Sequence, residues 1–107
     1  MERKYKFATP LCTTSAIRSS IDQSDAFSKL ITQSIARHFS GDWGEAGADS
    51  IARNNRALDR GGERILSVYT VPADIRQGLE LKDYAGVIWI ITEYDRTKTT
   101  ILFNYEY

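Results

Sequence analysis

Val87-Ile88-Trp89-Ile90-Ile91-Thr92-Glu93, then Tyr94-Asp95-Arg96-Thr97-Lys98, then Thr99-Thr100-Ile101-Leu102-Phe103-Asn104-Tyr105 is the stretch that decides the fold. Its two flanks are rich in β-branched and aromatic residues, which suit a pleated, half-buried surface. The polar residues between them have the length of a hairpin loop. The first flank opens on consecutive apolar positions, so both its faces want cover and it belongs at the centre of a sheet. Arg64 to Val71 reads as another strand of the same kind. Lys4 to Ala8, with Tyr5 and Phe7 on one side, reads as a first strand that Pro10 ends, because proline cannot donate to a ladder.

Upstream of Gly61 the period is helical. Thr13, Thr14 and Ser15 can cap a short helix running to about Asp22, with Ile17 as its buried contact. Ser24 or Asp25 caps a helix over 25–39, in which Phe27, Leu30, Ile31 and Ile35 share one face. Gly41 lies just past its end, where a left-handed residue is wanted. A third helix runs from Glu45 or Asp49 to Arg60. Its inner stripe is Ile51, Asn55 and Leu58, its arginines Arg53, Arg56 and Arg60 point elsewhere, and Gly61-Gly62 stop it. Pro72 to Gly86 reads as a long surface connection with a helical turn at 73–79. Helices precede most strands, which favours α+β over a parallel βαβ winding. The expectation is one domain over 1–107: an antiparallel sheet of about four strands packed against two or three N-terminal helices.

Length and charge narrow the function. A chain of 107 residues buries roughly 60–70% of its unfolded surface and needs no metal or disulfide staple. Fourteen basic residues balance fourteen acidic ones. That balance lacks the positive excess of a typical nucleic-acid binder and the negative excess of a DNA mimic. Cys12 is the single cysteine, so no internal disulfide and no thiolate zinc site can form. With a charged N-terminus and no apolar run long enough to span a bilayer, the expected location is cytoplasmic, with no membrane partner. No Walker or dinucleotide glycine loop, no G-x-S-x-G elbow and no second histidine is present, and no cofactor or metal is expected.

Three places hold residues with chemistry. His38 falls on the helix face of Phe27, Ile31 and Ile35, so it reads as a neutral, hydrogen-bonded histidine at the edge of the core. Its functional alternative is a general base or ligand. Ser40-Gly41-Asp42-Trp43-Gly44 is a sharp turn in which Trp43 plugs the core and Asp42 caps the next helix, or in which Trp43 anchors an interface. Glu93, Tyr94, Asp95 and Arg96 sit at the hairpin tip, either as a solvated turn with a local ion pair or as a binding surface. The candidate binding surface is therefore His38, Asp42, Trp43, Glu93, Tyr94, Asp95 and Arg96.

Several segments in order carry a resemblance: Ala8-Thr9-Pro10, Ile35 to Gly44, Arg64 to Tyr69, Ile88 to Glu93, Asp95-Arg96 and Thr99-Thr100. They resemble a family of small proteins of bacteria, phages and plasmids, some labelled plasmid-related protein or type I restriction endonuclease subunit M. The chain departs from it at Leu11-Cys12, in the greater length of 72–86 and in the C-terminal Phe103 to Tyr107, which lacks an expected proline, and these departures imply an altered partner surface. A DNA amino-methyltransferase needs an Asn/Asp-Pro-Pro-aromatic motif, and the two prolines here, Pro10 and Pro72, are far apart, so the subunit label does not carry that activity. What the resemblance implies is a mobile-element setting. The leading expectation is a non-enzymatic protein-binding module, with a host-defence component such as CRISPR or restriction machinery as partner. The alternatives are a metal-dependent hydrolase or nuclease using His38 with Asp42, Glu93 or Asp95, and nucleic-acid binding through Arg53, Arg56 and Arg60. An unpaired outer strand also suits a homodimer.

Overall fold

A computed structural model describes residues 10–107. The strand expected over Lys4–Ala8 lies outside the described residues. The elements run β1 (Leu11–Thr13), α1 (Ser15–Gln23), α2 (Asp25–Phe39), α3 (Ala48–Arg60), β2 (Ile65–Thr70), α4 (Ala73–Arg76), β3 (Val87–Thr92) and β4 (Thr99–Phe103), then a 3-10 turn over Asn104–Glu106. Among the described residues one four-stranded sheet has the order β1-β4-β3-β2. The fold is α+β, with β3 central as its apolar run requires.

Strands β2, β3 and β4 pair antiparallel, in the registers Ser67 with Ile90 and Ile90 with Ile101. The outer pairing corrects the all-antiparallel expectation, because β1 runs parallel to β4, with Cys12 beside Thr100. The chain enters this strand through Pro10, whose carbonyl accepts from Thr99 N–H at 2.9 Å. Its restricted φ points the chain extended into β1.

Helix caps follow the sequence closely. Thr14 and Ser24 accept from the N–H groups of Ile17 and Phe27, three residues on in each case. At the other end of α2, Gly41 N–H donates to His38 O and Asp42 N–H to Arg37 O, the Schellman pattern that its φ of 82° permits. Ile17, Phe27 and Ile31 then pack on Tyr69, Ile88, Ile90, Ile101 and Phe103 of the sheet. At about 25 cal/mol per Å² of apolar surface removed from water, this contact is the main stabilising term.

Two expectations are corrected. The segment 72–86 is more than a surface connection, because Leu79 and Ala85 are buried in the same core. Gln23 holds it to α1, accepting from Glu80 N–H at 2.9 Å. Helix α3 is also rotated from the expected phase. Ile51 and Asn55 are exposed, while Asn54 and Ala57 are buried and Leu58 half-buried. The reason is what α3 packs on. It lies along the edge of β2, where a small residue allows close approach and an amide reaches backbone.

The Asn54 amide donates to Leu66 O at 2.7 Å, and its oxygen accepts from Leu66 N–H at 3.0 Å. One step further along the same edge, Val68 N–H donates to Trp43 O and Val68 O accepts from Glu45 N–H. Gly44 thereby bridges Val68 in parallel fashion. The free edge of β2 is sealed by a side chain and a backbone clip, which satisfies groups that would otherwise invite another strand.

Gly44 has no substitute at this clip. Its φ is +65°, and a Cβ there would stand 2.1 Å from Val68 O and 2.6 Å from the Tyr69 ring. Gly62 also has positive φ but opens on empty space. We expect Gly62→Ala to cost about 1–2 kcal/mol of left-handed strain. Gly44→Ala should cost about 3 kcal/mol or more, since the backbone oxygen cannot move without breaking the clip. Urea unfolding of both variants checks this; equal losses would contradict it.

Candidate functional site

His38 lies in the last turn of α2, where the helix meets the sheet. It is 0% exposed. Its Nδ1 shares a hydrogen bond with Ser67 Oγ of β2 at 2.5 Å, and its Nε2 shares one with Thr92 Oγ1 of β3 at 2.9 Å. Thr92 Oγ1 is in turn 2.8 Å from Thr99 Oγ1 of β4. A neutral imidazole has one N–H donor and one acceptor, and hydroxyls can take either complementary role. Phe39 and Trp43 close the ring in edge-on, with centroids 5.4 and 6.0 Å away. Burial removes water from the charged form and lowers the His38 pKa to about 3. The core reading of His38 is the one the structure shows. Its ring nitrogens meet hydroxyls, and it presents no surface.

Trp43 is also inside, 6% exposed, packed with Ala46, Ala57 and Ile65, and its indole N–H donates to Asn55 Oδ1 at 3.3 Å. Asp42 is exposed but committed. Arg37 donates to its two oxygens at 2.7 and 3.1 Å, and Gly44 N–H donates at 3.1 Å. The Arg37 hydrogen bond is the main reason its carboxyl sits below the usual carboxylate range. Asp42 therefore shapes the turn, and the expected role as cap of the next helix is corrected: α3 starts after Gly47, without a side-chain cap. The pair is half exposed and adds about 1 kcal/mol at most. Arg37 also lies over the Tyr69 ring, 4.6 Å from its centroid, and the Tyr69 hydroxyl donates to Asp42 O. Burial raises the Tyr69 pKa to about 12.

The hairpin divides in the same way. Arg96 adopts φ 61° and turns its guanidinium inward. Nη1 donates to the carbonyls of Glu63, Glu93 and Tyr94, and Nη2 donates to Ala57 O at 3.1 Å. A cation at the C-terminal turn of α3 is also favoured by the helix dipole. Asp95 accepts from Thr97 N–H and from Thr97 Oγ1, the latter at 2.7 Å, and that hydroxyl is the first cause of its lowered pKa. Glu93 is half-buried and Tyr94 is 62% exposed.

The 38–43 turn and the 93–96 hairpin do meet. His38 bonds the residue before Glu93, and Trp43 and Arg96 both dock on α3. Of the seven expected surface residues only Asp42, Tyr94 and Asp95 are exposed. Among the described residues no three His, Cys, Asp or Glu side chains converge on a metal-sized site, and Arg56 pairs with Glu63 at 3.5 Å. No helix among the described residues is long and apolar enough to cross a membrane.

A second aromatic surface lies in the two segments, 72–86 and 103–107, where the chain departs from the family it resembles, although none of its tyrosines is among the expected surface residues. Tyr84 and Tyr105 lie at the opposite end of the sheet from the hairpin, 61% and 50% exposed, with ring centroids 5.6 Å apart. Tyr105 stacks on buried Phe103 at 15°, and the pair borders a cleft of about 280 Å3 with Arg76, Asp83 and Asn104. Tyr107 reaches back onto Trp89, at 5.0 Å, and its hydroxyl accepts from Arg64. The available signal was three tyrosines near strand ends, without the alternation that buries an aromatic. Comparison with known protein families, curated proteins and solved structures finds no match.

Buried neutral His38 has a consequence for stability. Unfolding restores its ordinary pKa of 6.5. Below that value the unfolded chain binds a proton that the folded one refuses, so folding weakens as pH falls. The slope approaches about 1.4 kcal/mol per pH unit. Asp42 and Asp95 act in the same direction only nearer the carboxylate range. Melting temperatures measured from pH 7.5 to 4.5 should be level above 6.5 and fall below it, and His38→Gln should flatten the fall. A level wild-type curve over the whole range would refute the assignment.

Proposed function

We propose that the protein is a non-enzymatic, protein-binding module whose contact surface is the tyrosine array of its C-terminal segment. The observation that carries the reading is that Tyr84, Tyr105 and Tyr107 are at least half exposed and yet held by ring contacts, Tyr84 to Tyr105, Tyr105 to Phe103 and Tyr107 to Trp89. Exposed aromatic rings fixed in place lose little conformational entropy on binding. Tyrosine, tryptophan and arginine are also the residues most enriched at binding hot spots, and Arg64 completes the set by lying 5.1 Å over Tyr107. The hairpin tip, with Tyr94 and Asp95, is a second and smaller contact at the other end of the sheet.

The resemblance supplies the setting of this proposal: a mobile-element protein in the cytoplasm that engages a component of host defence. The hydrolase and nucleic-acid readings gain no specific observation. His38 is enclosed, and Arg56 is occupied by Glu63.

Affinity purification from native host lysate tests the module. We expect a partner to co-purify with the wild type and to be lost with a Tyr84→Ala/Tyr105→Ala variant that melts like the wild type. Truncating a hot-spot tyrosine costs about 2 kcal/mol, roughly 30-fold in affinity. Recovery of the bait alone, or of the same partner with both proteins, would overturn the reading.

A further inference from the structure

The two edges of the sheet are built differently. The β2 edge is sealed by Asn54 and the Gly44 clip, as described. On the other side Pro10 O accepts from Thr99 N–H and Thr14 N–H donates to Ile101 O. Alternation then turns Cys12 toward β4 as well and leaves the N–H and C=O groups of Leu11 and Thr13 facing outward. Among the described residues nothing pairs with them, and all three β1 residues are exposed. Edge strands are ordinarily protected by charge, a bulge, a cover, proline or brevity; β1 has three residues behind Pro10 but carries no charge. From Pro10 to Ile17 the chain has no charge at all.

Beside β1 runs a groove of about 440 Å3 lined by Thr13, Thr14, Ser15, Arg18, Ser19 and Asp22. Its α1 wall carries one cation and one anion, Arg18 and Asp22, paired at 3.5 Å and both exposed. Equal and opposite charges one turn apart form a self-complementary pattern. A two-fold axis that runs one α1 antiparallel past another sets each Arg18 against the other copy's Asp22. The chain's zero net charge adds no long-range repulsion to self-association.

We propose that the outward edge of β1 binds a second copy of this chain, forming an antiparallel two-fold pair centred on Cys12 that joins two sheets into one. Leu11 then exchanges hydrogen bonds with Thr13 of the second copy, and Thr13 with its Leu11. The two Cys12 residues face each other as a non-hydrogen-bonded pair, with Cα atoms about 4.5 Å apart. That spacing lies within the disulfide range, so Cys12 serves as a geometric probe of the register. This contact is distinct from the tyrosine surface but adjoins it, since Thr14, just past the end of β1, donates to Glu106 Oε1 at 2.8 Å, between Tyr105 and Tyr107.

Light scattering of the full chain should give twice the 12.1 kDa chain mass, with dissociation on dilution. Diamide should link the wild type into a covalent dimer. Cys12→Ser should remain a non-covalent dimer that diamide does not link. Arg18→Asp places like charges across the axis and should weaken the dimer roughly tenfold, about 1.4 kcal/mol. Adding Asp22→Arg should restore it, which separates a lost contact from a lost fold. A monomer at every concentration overturns the proposal. So does a dimer that diamide does not link and that ignores the charge reversal, since its contact lies elsewhere.

Discussion

The hydrogen-bonded chain from Ser67 through His38 and Thr92 to Thr99 is the constraint on which the other parts of this structure hang. It ties the C-terminal turn of α2 to three consecutive strands, with every member fully buried. A buried polar group that loses its partner costs about 1–3 kcal/mol, so the chain accepts only the arrangement in which every member is met. That fixes where α2 ends relative to the sheet. The Schellman turn at Gly41 then directs Trp43 inward and brings Gly44 against Val68.

From this joint the sealing of β2 follows. Gly44 can clip Val68 only because α2 ends where His38 holds it, and α3 can lay Asn54 on Leu66 only because the clip has turned the chain along that edge. Arg96 closes the arrangement from the hairpin by binding carbonyls at the end of α3 and in the Gly61–Arg64 turn. Polar residues that resemble a site in the sequence are thus the fastenings of the domain. Exposure falls to the tyrosines at the strand ends and to β1.

Much of this was legible in the sequence because it is local. Cap residues Thr14 and Ser24, the glycine after α2, the hairpin and the central place of β3 all follow from propensity and period. The burial of His38 followed from its helical phase with Phe27 and Ile31. The phase of α3 was not legible, since apolar periodicity selects Ile51, whereas packing on a strand edge selects Asn54 for its amide. Nor could sequence reveal that Arg96 binds four carbonyls instead of facing a partner, because those carbonyls come from α3, the turn before β2 and the hairpin itself. The tyrosines at 84, 105 and 107 are not legible as a surface, because strand-end aromatics carry no period.

The account therefore stands or falls on the state of one imidazole. Nitrogen-detected NMR of ring-labelled protein reads the protonation and tautomer of His38 directly. The account predicts the two unequal nitrogen shifts of a single neutral tautomer, unchanged from pH 7.5 down to the onset of acid unfolding. A folded protein whose His38 shifts titrate with a midpoint near 6.5 would contradict it, because that histidine would have to be in water.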